Sequence, residues 1–157
     1  MDPSKMSSNP QIKSRKYKDI EFYPLLISDF AEWDKWARED FLDGCNTKED
    51  DPEQRHAFYL AAVEAAGRIS FGSPKSWSAM TSVTGKIQTC YLSMRRGDTR
   101  LTRNKVWSAI VGDPATPEGY QNLTACFVEV LKVSGIIPEV DDPNPTNPVL
   151  LAMKVLT

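Results

Sequence analysis

The chain contains little of the chemistry from which most catalytic and metal sites are built: its 157 residues include one histidine and three cysteines. The cysteines, Cys45, Cys90 and Cys126, lie far apart, a spacing that fits neither a disulfide framework nor a zinc motif. Transition metals prefer imidazole and thiolate ligands, and His56 has no second histidine to join it. We therefore predict three free thiols, no metal site and no cofactor.

Long apolar runs and nucleotide-binding or nucleophile motifs are also missing. No stretch approaches the ~20 apolar residues of a membrane span, and the polar N-terminus lacks the apolar core of a signal peptide. The "TGK" at 84–86 lacks the upstream glycine of a phosphate-binding loop, because position 80 is Met80. These absences predict an intracellular protein without catalysis or membrane contact. The acidic run that a hard cation would need lacks the alternate spacing of a calcium loop; it comprises Asp40, Asp43, Glu49, Asp50 and Asp51.

Charge is present and is distributed in blocks, although the net charge is only −2. Residues 1–18 carry five basic side chains against one acid, whereas residues 29–53 carry ten acids against three bases. A second basic cluster follows at 95–105. Blocks of one sign are typical of surfaces that face partners or other subunits, and solvated helix faces produce the same pattern.

Helix start signals recur along the chain. Asp51 precedes Pro52, Thr116 precedes Pro117, and Thr102 precedes a further apolar-periodic segment, so each can cap a helix N-terminus. No alternating strand pattern competes. We predict an all-α fold, a compact bundle of five or six helices. The boundaries are a flexible basic N-terminal arm (1–19), the helical domain (20–135) and a Pro-rich extension (136–157).

The spacing of apolar residues predicts which helix faces are buried. In the first helix the predicted face contains aromatic core residues, and in the second the alanines allow close packing. Gly97 is predicted to end a later helix in the left-handed conformation, with Arg95 and Arg96 offsetting the negative helix end. The predicted buried faces are Phe30, Trp33, Ala37 and Phe41 in the first helix, and Phe58, Ala62, Ala65 and Ile69 in the second.

Two segments are candidates for binding a partner. The terminal sequence "VLLAMKVLT" is apolar, and it either folds back on the core or docks on a neighbour through Leu150, Leu151 and Met153. The basic cluster offers cations that no helix end accounts for. For a protein partner we name Arg100, Arg103 and Lys105, and for nucleic acid we add Lys13, Arg15, Lys16 and Lys18 from the arm.

Four stretches of the chain stand together as a pattern: the Trp-rich "WDKWAREDFLD", the "ISFGSP" junction at 69–74, the "TGK…YLSMRR" helix at 84–96 and the "LT…V…I" helix start at 101–110. Together they resemble small tail-assembly chaperone or tail-accessory proteins of bacteriophages and prophages. The resemblance covers about half of the chain and contains no catalytic residue. It implies a non-enzymatic structural or assembly protein, located in the host cytoplasm or in a virion. Such a protein would bind protein partners or associate with itself into a ring or filament; the alternative is a nucleic-acid-binding protein.

Overall fold

The computed structural model describes residues 13–45 and 51–139. An antiparallel hairpin, β1 (Arg15–Tyr17) and β2 (Ile20–Phe22), comes first. Six α-helices follow in these described ranges, which confirms the all-α prediction. They are α1 (Ile27–Gly44), α2 (Pro52–Gly67), α3 (Trp77–Thr81, preceded by a 3-10 turn at Pro74–Ser76), α4 (Val83–Met94), α5 (Arg103–Ile110) and α6 (Pro117–Val133).

The predicted helix starts at Asp51, Thr102 and Thr116 are confirmed by side-chain caps. Asp51 accepts a hydrogen bond from the Glu53 amide, and the two threonines accept from amides three residues ahead of them. Each cap satisfies one of the amides that a helix N-terminus leaves without an intrahelical partner. These short-range signals therefore fix where α2, α5 and α6 begin.

Helix α4 lies at the centre of the fold. It packs against α1, α3, α5, α6 and β2, so it has few outward-facing positions. The buried residues around it form one hydrophobic cluster, to which α1, α3, α5 and α6 all contribute side chains. Its largest fully buried apolar side chains are Trp33, Phe22, Phe127, Met80, Leu92, Leu123 and Leu131.

Two glycines let the helices approach more closely than any other residue would. A Cβ on Gly85, near the start of α4, would collide with the backbone carbonyl of Ala79 in α3. A Cβ on Gly119 would collide with the carbonyl of Val111, which follows α5. The glycines therefore set the spacing of α4 and α6 from their neighbours.

The hairpin corrects the predicted N-terminal boundary. Residues 15–17, assigned to the flexible arm, form β1 and pack against α6. The hydroxyl of Tyr17 donates to the Asn122 side chain at 3.0 Å, and Phe22 in β2 is fully buried. At the other boundary, Ile137 is buried in the core although it was placed in the extension. Residues 1–12 of the arm and 140–157 of the extension lie outside the described residues.

Two local predictions on α1 and α4 are wrong. Ser28 and Asp29 are the residues that the sequence offers as the N-cap of α1, but the helix begins at Ile27 with Leu26 as its cap residue, and the Asp29 carboxylate accepts a hydrogen bond from the Leu26 amide. Gly97 is not left-handed; a Cβ there would lie 3.0 Å from the ring of Tyr23, so close approach explains this glycine. The contact of Gly97 with Tyr23 is long-range, so local sequence spacing does not encode it.

Candidate docking surface

Helix α2 buries little of its own surface. Only Ala62 and Ala66 are buried along its 16 residues, and its substantial contacts with other described elements are all with α1. Nine large apolar side chains are exposed in the described ranges, and four of them lie within six residues of this helix. They are Phe58 (50% exposed), Tyr59 (58%), Leu60 (54%) and Val63 (41%).

This pattern corrects the predicted buried face of the second helix. Ala62 is buried as predicted. The second buried residue of this helix is Ala66, whereas Phe58 and Ala65, which were predicted to be buried, are exposed. Phe41, predicted in the core from α1, is also 38% exposed. The reason is that α1 covers a narrow line of small residues on α2, and no other described helix covers the larger side chains beside that line. The exposed residues Phe58, Tyr59, Leu60 and Val63 are hereafter called the α2 apolar surface.

A groove of about 580 Å³ lies along one flank of the α1–α2 pair. Trp36 and Phe41 form its α1 wall, Ala65 lies on the α2 wall, and Thr84 marks the start of α4. A smaller hollow of about 320 Å³ continues from it toward Arg103 and Trp107 on α5. The two hollows share Trp36, Asp40 and Thr84 as lining residues.

The groove has polar as well as apolar walls. Its charged lining residues are Asp40, Arg68 and Lys75, one acid against two bases. No group of three or more His, Cys, Asp or Glu side chains in residues 13–45 and 51–139 is placed to hold a metal ion. Chemically, the described residues make the groove a recess for a mixed apolar and polar surface.

The basic cluster divides into a buried part and an exposed part. Arg95 donates to Asp29 at 2.6 Å and to Glu32 at 2.7 Å, so it joins α4 to α1. The hydrogen bond that the Arg95 guanidinium donates to Glu32 is the main cause of its raised pKa, and the hydrogen bond to Asp29 adds to it. Arg96 lies 4.0 Å from the same Asp29 carboxylate, which is only 3% exposed. The two arginines were predicted to offset the negative end of α4 from its last turn, but they follow that turn and lie against α1 carboxylates instead.

The exposed part consists of the three cations predicted to meet a partner. Arg100, Arg103 and Lys105 are all exposed. The Thr102 cap starts α5 between them, and the Lys105 ammonium donates to the Arg100 carbonyl at 3.2 Å. None of the three forms an ion pair with any other described residue. Their positive charge therefore faces solvent.

The arm cations occupy different surroundings. Arg15 forms a part-buried ion pair with Glu129 on α6, and the hydrogen bond that it donates to Glu129 raises the pKa of Arg15. Lys13 forms an ion pair with Glu139. The hydrogen bond that Lys13 donates is the main cause of the lowered pKa of the Glu139 carboxyl. Lys16 is exposed, and Lys18 lies over the ring of Tyr17. Two of the four predicted arm cations are thus already neutralised.

The two basic groups lie on nearly opposite sides of α6. The hairpin contacts this helix through Tyr17 and Asn122, whereas Trp107 of α5 stacks edge-on against Tyr120. The side chains at positions 120 and 122 point in directions about 200° apart around the axis of α6. They therefore lie on nearly opposite sides of a helix that is about 10 Å in diameter. The structure therefore does not bring the seven predicted nucleic-acid-binding cations together.

Three of the predicted partner-binding residues, Leu150, Leu151 and Met153, lie outside the described residues. Burial raises the pKa of the Cys126 thiol to about 12 and that of Cys90 well above its usual range, so little of either thiol is in the reactive thiolate form near neutral pH. No described helix is both long and apolar enough to cross a bilayer.

The sequence does contain a signal for the α2 apolar surface. The run "FYLAAVEAA" at 58–66 places apolar residues around most of the helix circumference, which is wider than one buried stripe requires. A helix that is apolar all round is either buried or covered by a partner. Helix α1, its one substantial neighbour among the described elements, covers only part of that circumference.

Comparison with known proteins adds no relationship. The chain matches no protein-family model, no curated protein and no solved structure.

Proposed function

We propose that this chain is a non-enzymatic structural or assembly protein of a phage-like particle, acting through protein–protein contacts. The α2 apolar surface is the observation that supports a contact role, because four large apolar side chains are about half exposed on one helix. Apolar patches of this kind mark interaction sites when they are contiguous. The phage-like setting is supported by the resemblance of the segments at 33–43, 69–74, 84–96 and 101–110.

The proposal includes self-association. Exposed acids on α1, among them Glu39 and Asp43, and the exposed cations Arg100 and Arg103 carry opposite charge on one chain. Complementary charge orients and accelerates association more than it tightens it. The apolar contact supplies affinity, and the charges select the register in which copies meet.

Light scattering coupled to size-exclusion chromatography tests this function on the full chain. We expect a mass above that of the monomer at high concentration, and a shift toward monomer in a Val63→Glu variant. Gln54→Glu is the matched control, because it adds the same charge at an exposed position of the same helix that points about 180° away from Val63. A strict monomer at every concentration that also captures no partner would overturn the proposal. So would turnover in an activity screen that disappears when Asp40, which lines the groove, is replaced.

A second function, nucleic-acid binding, is favoured by one observation: the exposed cations Arg100, Arg103 and Lys105 lack ion-pair partners in residues 13–45 and 51–139. Three phosphate contacts would give a slope of roughly −2.7 for log affinity against log salt, from about 0.9 per contact. Replacing all three by Ala would flatten that slope, whereas Lys13→Ala and Arg15→Ala would not. Filter binding at two salt concentrations measures it, and an absence of binding in low salt eliminates this function.

A further inference from the structure

We infer that the partner of the α2 apolar surface is a second copy of this chain, with the two α2 helices packed antiparallel about a two-fold axis. The inference rests on the proposed function, since it names the partner and the geometry of the contact. It follows from the position of three side chains on the helix, from the charges at the helix ends and from the area available.

The contact face is formed by Tyr59, Leu60 and Val63. At about 100° per residue these three side chains fall within an arc of about 100°. Leu60 and Val63 lie well away from the line of Ala62 and Ala66 that faces α1. Phe58 lies on the opposite flank, next to the groove. One face of the helix pair therefore remains uncovered by any described element, and a second helix fits against it.

The charged residues beyond the Leu60 side of this face are self-complementary. Glu53 lies at the start of α2, about 20° beyond Leu60 around the helix, and Arg68 lies directly after its end, about 80° beyond Leu60 and in the wall of the groove. Their midpoint falls between residues 60 and 61, and the midpoint of Tyr59 and Val63 falls at residue 61. An antiparallel two-fold contact centred there places Glu53 of each copy beside Arg68 of the other, as an isologous interface requires. A parallel contact would place like charges side by side.

The local ion pair supports this arrangement. Arg68 donates to Glu64 at 2.7 Å on the same helix, and both side chains are largely exposed. Glu53 of a second copy would add a carboxylate on the other side of the same guanidinium. Arg can donate several hydrogen bonds at once, so one guanidinium can serve both acids.

The available area indicates a weak, reversible dimer. The exposed parts of Tyr59, Leu60 and Val63 amount to roughly 300 Å² per copy, taking an aromatic side chain at about 150–250 Å². The neighbouring alanines and the stems of the rim side chains bring the contact toward the roughly 600 Å² per partner of small transient interfaces. We therefore expect dimerisation that depends on concentration, not an obligate dimer.

Cysteine cross-linking of the full chain tests the geometry. In a Cys45→Ser background, where the remaining native thiols are buried, Leu60→Cys places a thiol close to the proposed axis. A disulfide needs Cα atoms within about 7 Å, which only a contact close to the axis provides. We expect oxidation to convert Leu60→Cys to a covalent dimer, visible on a non-reducing gel. Ala61→Cys is the matched control, since it points about 100° away on the same helix and should remain monomeric.

A second measurement keeps the inference falsifiable if the cysteine variant is poorly behaved. Leu60→Glu should raise the dimer dissociation constant at least tenfold in sedimentation experiments, with an unchanged melting temperature at low concentration. A wild-type chain that is monomeric throughout removes self-association from the proposed function. A chain that self-associates while Leu60→Cys fails to cross-link and Leu60→Glu has no effect overturns only the α2 contact. Equal cross-linking at 60 and 61 overturns it as well.

Discussion

Single residues determine how α1 is held against α4. Asp29 is 3% exposed, and it accepts hydrogen bonds from Arg95 and from the Leu26 amide. A buried carboxylate with two donors is stable in the fold because its charge and lone pairs are satisfied. The same carboxylate starts the helix and joins it to a residue 66 positions away.

Removing the guanidinium should therefore destabilise the fold. We expect Arg95→Met to lower the free energy of unfolding by about 3 kcal/mol, because the buried Asp29 loses its nearest cation. Urea denaturation measures the change. Arg100→Met is the control, since Arg100 is exposed, and we expect an effect within about 0.5 kcal/mol.

A double variant distinguishes the loss of the Arg95–Asp29 ion pair from a general loss of side-chain packing. Adding Asp29→Asn to Arg95→Met should recover part of the lost stability, because an amide oxygen can still accept from the Leu26 amide without burying a charge. If Arg95→Met were as mild as Arg100→Met, the ion pair would contribute nothing to stability.

The three thiols should differ in reactivity for a reason visible at each residue. Burial raises the pKa of Cys126 to about 12 and that of Cys90 well above its usual range, whereas Cys45 is half-buried at the end of α1. Alkylation proceeds through the thiolate, so a raised pKa means less thiolate at pH 8. We expect rapid labelling of Cys45 alone in the native protein, detected by mass spectrometry, and labelling of all three in denaturant. Rapid native labelling of Cys126 would contradict its burial.

At the scale of helices, the sequence predicted local features such as helix caps but did not predict long-range contacts. Thr102 and Thr116 were predictable as caps, because a cap involves only the next three residues. The hairpin was missed, since each strand is three residues long and carries charged side chains such as Arg15. The Arg95 partners were missed because nothing in local spacing relates position 95 to Asp29.

Gly119 allows α6 to lie close to the end of α5. Gly119→Ala should destabilise the fold by about 1–3 kcal/mol. The added Cβ would collide with the Val111 carbonyl and force α5 away from α6. Thermal denaturation measures it. Gly44→Ala is the control at another helical glycine, where a Cβ meets nothing within 4 Å, and we expect no loss and a gain of up to about 1 kcal/mol. Equal effects at the two positions would show that α5 and α6 are not closely packed there.

For the whole molecule, the sequence predicted the fold class but not the surface that supports a function. The apolar period located Trp33 and Ala37 in the core, because strong periodicity indicates a buried face. It also assigned Phe58 to the core, since periodicity alone cannot show whether another helix is present to cover a face. The contacts of α2 with α1 alone account for that difference.

The last ten residues, 148–157, bear on the size of the assembly. If this segment docks on a neighbouring copy and does not pack on the core, deleting Pro148–Thr157 should leave the melting temperature unchanged. We expect the deletion to abolish species larger than a dimer, because Leu150, Leu151 and Met153 are the proposed second contact, while α2 still joins two copies. Light scattering and thermal denaturation of the same preparation measure both quantities. A lower melting temperature with unchanged stoichiometry would assign the segment to the core, and loss of the dimer itself would assign the two-fold contact to the tail instead of to α2.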